Sequence, residues 1–223
     1  MLNLSNISCV AVSSIKIKET IDSLMKAATE INFKEIVLVT HEVPNVLPEY
    51  IKIKLVPRIQ SLTAYSQIMF ESLHKHVSGS HILVLQHDGM VHDVNMWDDS
   101  FLKYDYIGSP WPADYSSFTD NKGNLRRVGN GGFSLRSRRI YEFIDSKNMK
   151  LSSHHGWDGE DVNFGVINAC LFEENGLKFP DINTAFRFGF ETQTPEYEGT
   201  SSFGYHRNIP PVGCESFSLF PKI

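Results

Sequence analysis

The chain has 223 residues, 41% of them hydrophobic and 21% charged, a balance that suits a folded globule rather than a disordered or fibrous chain. A net charge of −5 and a pI near 6.0 leave no basic face for nucleic acid and no electrostatic reason to lie on an anionic membrane. No apolar run reaches the ~18 residues of a membrane span, and the first residues lack the basic flank and apolar stretch of a secretory signal.

Residues 7–12 read as a first strand. Ser13 or Ser14 follows as a helix cap, and Ile17, Ile21, Leu24, Ala28 and Ile31 then recur at spacings of four and three, one apolar stripe of a helix. Residues 35–40 form a second strand and 51–56 a third, whose apolar–polar alternation places it near an edge. Ser61 caps another helix with Leu62, Tyr65, Met69 and Leu73 on one face. Residues 82–85 are an apolar strand buried on both faces, followed directly by Gln86, His87, Asp88 and Gly89. Strand, helix, strand, strand, helix, strand predicts an α/β fold with a largely parallel sheet and helices on both faces.

The second half differs. Residues 104–112 are rich in Gly, Pro and aromatics, and 114–127 form a polar loop. Phe133 and Leu135 suggest a short strand, Ile140, Phe143 and Ile144 a short helix, and 159–173 a longer helix with Val162, Val166 and Ala169 on one side. After about residue 175 the pattern is irregular. No repeat, low-complexity tract or linker divides the chain, so one unit of 1–223 is expected, with a change of role near residue 90. Cys9, Cys170 and Cys214 are widely spaced without zinc spacing; Cys9 and Cys170 lie in apolar runs, as inert core thiols in a cytoplasmic, reducing location would.

Four constellations carry chemistry. Asp88 stands at the carboxyl end of a buried strand, where α/β sheets bind ligands and a carboxylate can hold a hard divalent cation; a plain Asp-Gly turn is the simpler alternative. Gly129-Asn130-Gly131-Gly132 places three glycines in four residues, either for close approach of main chain to a ligand or as a β-turn, and its spacing is wrong for a dinucleotide fingerprint. Trp157-Asp158-Gly159-Glu160-Asp161 puts three carboxylates at a helix start beside an aromatic. The dipole alone favours acids there, but a carboxylate so held can also take a proton from an attacking hydroxyl. His206 is a candidate metal ligand and Arg207 a phosphate partner, against a structural role for a lone late His.

In this order, Asp88, then Gly129 to Leu135, then Trp157 to Asp161, then His206, the chain resembles the GT-A glycosyltransferases near the Fringe-like and β-1,4-galactosyltransferase groups. It looks closest to a less characterised bacterial and viral family in which Tyr-Asp-Tyr-Ile-Gly-Ser-Pro-Trp precedes Val-Gly-Asn-Gly-Gly and the acidic motif. The resemblance spans Val10 to His206. It implies a GT-A fold, with a Rossmann-like nucleotide-binding half (1–90) fused to an acceptor-binding half (91–223). It implies a hexosyl transfer from a nucleotide-sugar, most often a UDP-sugar, to a glycan or other hydroxyl acceptor, as in polysaccharide biosynthesis. Asp88 and His206 would ligate Mn²⁺ or Mg²⁺. Gln86, which replaces the first Asp of the family's Asp-any-Asp element, would contact ribose, with His87 beside it and Thr40 and His41 near the base. Asn130 and Gly131 would border donor and acceptor, and Gly132, Trp157, Asp158 and Arg207 would contact substrate. Glu160 and Asp161 would be the acceptor-side acids, with Asp161 as base in an inverting enzyme; retention stays open. A sugar nucleotidyltransferase is a competing reading, although residues 13–18 lack the glycine loop for a triphosphate. So is a non-catalytic carbohydrate-binding protein, which Gln86 permits.

Overall fold

The structure, a computed structural model, describes residues 1–115, 118–153, 156, 158–197 and 201–210. The elements are β1 (Leu2–Val12), α1 (Ile17–Glu30), β2 (Ile31–Thr40), β3 (Ile51–Leu55), α2 (Leu62–Gln67), β4 (His81–Leu85), β5 (Gly89–Val91), β6 (Tyr106–Pro110), β7 (Val128–Ser137), α3 (Arg138–Ser146), α4 (Glu160–Val162), α5 (Ala169–Glu174), α6 (Ile182–Phe188), β8 (Gly189–Phe190) and β9 (Gly204–His206). The main sheet has the order β3-β2-β1-β4-β7-β6, with β7 alone running against the others. Alternate residues of its strands feed two cores, because successive side chains of a strand point to opposite faces. Cys9, Leu38 and Leu83 face α1 through Ile21, Leu24 and Ala27, with Phe188 of α6 in the same cluster. Val10, Val37 and Val84 face Met69, Phe70 and Leu73 after α2, Ile140 and Ile144 of α3, and Phe172 of α5.

β3 is the edge strand that its alternation predicts, with Lys52 and Lys54 exposed. Ser61 caps α2 as expected, accepting from the amide of Ala64 at 3.0 Å. Ser13 and Ser14 do not cap α1. That helix starts from Lys16 in the left-handed region (φ 48°), while the buried Ser14 hydroxyl accepts from the amide of Ile59 at 3.0 Å and ties the segment before α2 to the end of β1.

The second half departs further from the sequence pattern. The strand expected around Phe133 and Leu135 is ten residues long and contains the whole glycine segment, so those glycines form strand rather than turn. The helix expected over 159–173 is broken into α4, a π-helical turn (Asn163–Ile167) and α5. At the break the backbone amide of Asn168 donates five residues back, to the Asn163 carbonyl at 3.2 Å, and the Asn168 side-chain amide donates to the same carbonyl at 2.9 Å. The tail expected to be irregular contains α6, capped by Asp181 accepting from the Thr184 amide at 2.8 Å, and the two short strands β8 and β9.

β5, β9 and β8 make a separate three-stranded sheet, with Gly89 registered on His206 and Phe190 on Tyr205. Among the described residues no helix is long and apolar enough to cross a membrane.

Candidate functional site

The small sheet brings together residues from three distant parts of the chain. Asp88 immediately precedes β5, His206 ends β9 and Glu191 follows β8. The Arg207 amide donates to the Asp88 carbonyl at 2.8 Å and fixes the two ends to each other. His206 is 3% exposed. Its Nδ1 donates to Glu191 Oε1 at 3.0 Å, and its Nε2 lies 3.1 Å from Gln86 Oε1 and 3.4 Å from Asp88 Oδ1. Gln86 is oriented from its other end, its Nε2 donating to the Tyr65 hydroxyl at 2.8 Å. Gly132 of β7 lets the imidazole lie directly on the strand, since a Cβ there would fall 2.3 Å from two ring atoms.

The electrostatics follow from this packing. Burial would lower the His206 pKa, but the carboxylates of Asp88 and Glu191 outweigh it and raise it to about 9. The same contact with the His206 ring, working against burial, holds the Asp88 carboxyl down at about 2. Asp88 Oδ1 is buried yet receives no hydrogen bond of regular geometry, and its nearest polar neighbours are the rings of His206 at 3.4 Å and His87 at 3.5 Å. Lys16 donates from Nζ to His87 Nε2 at 3.1 Å, adding a cation beside the group. The Asp88 carboxylate and the Gln86 amide oxygen on either side of His206 Nε2 suit a hard divalent cation that displaces the Nε2 proton and takes further oxygen ligands from a bound anion. Among the described residues no three His, Cys, Asp or Glu side chains are grouped to hold a metal unaided.

The acidic motif lies opposite, at the start of α4. The structure separates its two central acids. Glu160 is 4% exposed and turns inward, its Oε1 accepting from Arg136 Nη2 at 3.0 Å. It therefore does not stand as a second free acid beside Asp161. Asp161 faces the cavity, with Oδ1 accepting from the Val162 amide at 2.8 Å and Oδ2 from the Gly131 amide at 3.3 Å. Burial, and then the neighbouring Glu160 carboxylate, raise its pKa to about 7. Asn130 Oδ1 accepts from the Gly132 amide at 2.8 Å, and Asp158 accepts from the Thr63 hydroxyl. Trp157 lies outside the described residues.

Both groups line one cavity of about 790 Å³, which Gln86 and His206 enter from one side and Asp158 and Asp161 from the other. Trp111, Tyr115 and Phe118 form an aromatic wall of this cavity. Arg207 lies at its edge, with its side chain 68% exposed and its Nη1 3.6 Å from Glu191 Oε1. An adjoining cavity of about 350 Å³ shares Leu62, Tyr65 and Gln86, reaches His87, and extends to Val12, Ser13 and Ile15 at the carboxyl end of β1. Thr40 and His41, expected near a base, line neither cavity. Thr40 is fully buried at the end of β2, and His41 lies 3.5 Å from Glu42. A separate surface groove of about 570 Å³ lies between α2 and α3, where the Lys150–Glu71 and Lys75–Asp145 pairs satisfy one another.

Sequence reasoning missed Glu191, Lys16 and Arg136, and assigned Tyr65 only to a helix face. Arg136 alone carried a signal, a charge next to Leu135 within an apolar strand pattern. Glu191 sits in a stretch with no readable period.

The chain has the fold of the galactosyltransferase LgtC. A structure of LgtC in complex with donor and acceptor sugar analogues matches with a TM-score of 0.54 at 13% identity, over 91% of this chain and 87% of that one. A structure of an active-site mutant of LgtC matches with a TM-score of 0.53 at 11% identity, over 89% and 86%. The mannosyltransferase PcManGT from Pyrobaculum calidifontis, in complex with GDP-Man and Mn²⁺, aligns at 10% identity with a TM-score of 0.44, over 79% of this chain and 55% of that one. No curated protein matches the sequence significantly. The sheet order and the LgtC likeness make this a GT-A fold, in the mostly parallel mixed form that the sequence led one to expect. Residues 50–206, which include Gln86, Asp88, Asp161 and His206, match the family described as protein of unknown function (DUF5672), and the chain belongs to that family.

Proposed function

We propose that the chain is a metal-dependent glycosyltransferase that moves a sugar from a nucleotide diphosphate-sugar, of the UDP class, to a glycan or other hydroxyl acceptor. The observation that carries this reading is His206 Nε2, with the buried Asp88 Oδ1 at 3.4 Å and Gln86 Oε1 at 3.1 Å, at the wall of a cavity that Asp161, poised near neutrality, lines from the other side. LgtC, which shares the fold, is itself seen with donor and acceptor sugar analogues.

Asp88 and His206 would hold Mn²⁺ or Mg²⁺, with Gln86 beside them. Bound there, the cation supplies Lewis-acid charge that neutralises the leaving diphosphate. The chain's own groups do the rest. Glu191 fixes the His206 tautomer, and Tyr65 fixes the Gln86 amide. Lys16, close to His87, and Arg207, at the cavity edge, bring positive charge to the diphosphate. The smaller cavity receives base and ribose, and Gln86, on its border, reaches a ribose hydroxyl. Asn130, Gly131 and Gly132 border the transferred sugar, and Asp158 lies on the acceptor side. Asp161 takes the proton from the attacking hydroxyl. A non-catalytic carbohydrate-binding protein would need no carboxyl held near neutrality at this point.

The test is thermal unfolding of wild type and Asp88→Ala with UDP, with Mn²⁺ and with both. A ligand at about 100 times its Kd stabilises the fold by about 2.7 kcal/mol. A shift that requires both ligands and disappears in the variant is expected. A UDP shift indifferent to Mn²⁺ and to Asp88 would overturn the metal-diphosphate reading.

A further inference from the structure

Beneath the acceptor-side acids the chain buries a cation completely. Arg136, in the interior of β7, has no exposed surface, and its guanidinium lies 5.0 Å from the ring centre of Phe164 and 5.5 Å from that of Tyr106. Nε donates to Ser134 Oγ at 3.1 Å; Nη1 donates to the Met69 carbonyl at 3.1 Å and the Tyr141 hydroxyl at 3.3 Å. Nη2 donates to Glu160 Oε1 at 3.0 Å and lies 3.5 Å from the Gly131 carbonyl, which the Ser134 hydroxyl, itself held by Arg136 Nε, binds at 2.9 Å. The guanidinium is committed to protein partners and does not reach the cavity. A buried ion pair is a poor device for stability, because desolvation offsets the attraction and well-packed apolar residues usually do as well. Its value here lies in what it holds.

Two of its partners belong to the site. Gly131, whose carbonyl Arg136 binds, is the residue whose amide donates to Asp161. Glu160, which Arg136 pairs, is the residue before Asp161. The strand presses directly on the pair, since a Cβ at Gly131 would fall 2.5 Å from Glu160 Oε1 and 3.2 Å from Arg136 Nη2. We propose that Arg136 is the positioning residue of the acceptor-side base: by gripping the Gly131 carbonyl and the Glu160 carboxylate it locks β7 to the start of α4, and so presents Asp161 as the one acid of the pair free to accept a proton. This rests on the glycosyltransferase reading above. It makes Glu160 a counter-ion rather than a second base. The charged and titratable groups around Asp161 are Glu160 on its own helix, Arg136 from β7, Tyr65 from α2 and Tyr106 from β6. Of these, Arg136 is bonded to Glu160 and not to Asp161, which separates the roles of two adjacent carboxyls.

Three variants test this: Arg136→Lys, which keeps the charge and loses the planar fork; Arg136→Met; and Arg136→Met with Glu160→Gln, which removes both buried charges and is expected to fold even where the single variant does not. The readouts are the UDP plus Mn²⁺ shift in melting temperature and the pH profile of UDP release from a panel of UDP-hexoses, with water as the acceptor. Folded variants are expected to keep the UDP–Mn²⁺ shift and the donor KM. Arg136→Lys should lose kcat by about 10- to 100-fold, as an angstrom-scale misplacement of a catalytic group does, with the acid limb of the profile displaced. The double variant should stay folded and equally slow. Turnover by Arg136→Lys or the double variant at the wild-type rate, with an unmoved pH profile, would reduce Arg136 to packing. If wild type releases UDP from no donor, it is the transferase reading that fails. The inference is then decided by ¹³C NMR titration of the Asp161 carboxyl, where coincident curves for wild type and Arg136→Lys overturn it and separated curves sustain it.

Discussion

Gly132 is where the geometry makes its sharpest demand. A methyl group added there would lie 2.3 Å from Cδ2 and Nε2 of His206 and 2.6 Å from Cε1, so the ring must retreat by about 1.1 Å to regain ordinary contact at 3.4 Å. It has little freedom to do so, being 3% exposed, bonded to Glu191 and carried on a strand registered against β5. Overpacking of this kind costs about 1–3 kcal/mol of stability. The functional cost is separate. Metal–ligand distances tolerate only about 0.2 Å, and disturbing the orientation of a ligating histidine typically weakens metal binding by about 10- to 100-fold, or about 1.4–2.7 kcal/mol. Gly132→Ala should therefore melt lower and bind Mn²⁺ in the presence of UDP at least about tenfold more weakly by calorimetric titration. Gly123→Ala is the matching control. Its backbone is left-handed (φ 84°) and its surroundings are open, so it should cost about 1–2 kcal/mol of stability with no change in Mn²⁺ affinity. Wild-type Mn²⁺ affinity in Gly132→Ala would remove His206 from the metal site.

Activity should rise with pH through about 7 as Asp161 ionises, and Asp161→Asn should be flat and low across the profile while still binding UDP with Mn²⁺. Because the folded pKa of Asp161 is raised, its favourable contribution is present below about pH 4 and lost as pH rises through about 7. Asp161→Asn should thus outlast wild type in urea at pH 8, by about 2 kcal/mol after solvent screening, and the gap should close at pH 4. Burial would raise the Glu35 pKa, but hydrogen bonds from the hydroxyl and amide of Ser78, from Ser8 and from Lys52 outweigh it and pull the pKa down to about 2. Its stabilisation is present above about pH 4.5 and lost as pH falls towards 2, so Glu35→Gln should cost about 3 kcal/mol at pH 7 by urea unfolding and little at pH 2. Gln86→Asp supplies a second carboxylate and should strengthen Mn²⁺ binding measured without UDP, while lowering the melting temperature of the metal-free protein because Asp88 and Glu191 already crowd the site with negative charge.

The first half of the fold was legible because parallel strands buried on both faces are uninterrupted apolar runs, and α1 repeats its stripe for fourteen residues. The caps were read unevenly: Ser61 serves α2, whereas Ser14 was diverted to a tertiary contact that no local pattern announces. Past residue 90 the elements shorten. A two-residue β8 and a three-residue β9 contain no period to detect, and a π-helical turn over Asn163–Ile167 interrupts a helix whose apolar spacing reads as continuous. At the site, Asp88, His206 and Asp161 were nameable from residue type and order, and the structure gathers them around one cavity and its edge. The different surroundings of Glu160 and Asp161 were not, since they depend on an arginine from another strand. The glycines, read as either room for a ligand or a turn, form strand; Gly132 also makes room for His206, and Gly131 for the Arg136–Glu160 pair.

The candidate metal centre hangs on strands too short to be stable alone, so its rigidity comes from elsewhere. Phe188 precedes β8 and Phe203 precedes β9, and both pack on Phe133 of β7, with ring centres 5.2 and 5.8 Å away. Trp97 and Phe101, between β5 and β6, close the cluster, Trp97 on Phe203 at 5.0 Å and Phe101 on Phe188 at 5.4 Å. The bases of β8 and β9 are thus clamped to the strand that also carries Asn130, Gly131 and Gly132. Gln86 and His206, 120 positions apart, meet at 3.1 Å because one aromatic cluster fixes the small sheet against the large one. Through β7 the two sides of the cavity share a single rigid reference. A ligand on either side therefore meets a preorganised partner instead of having to order short strands at the cost of its own binding energy.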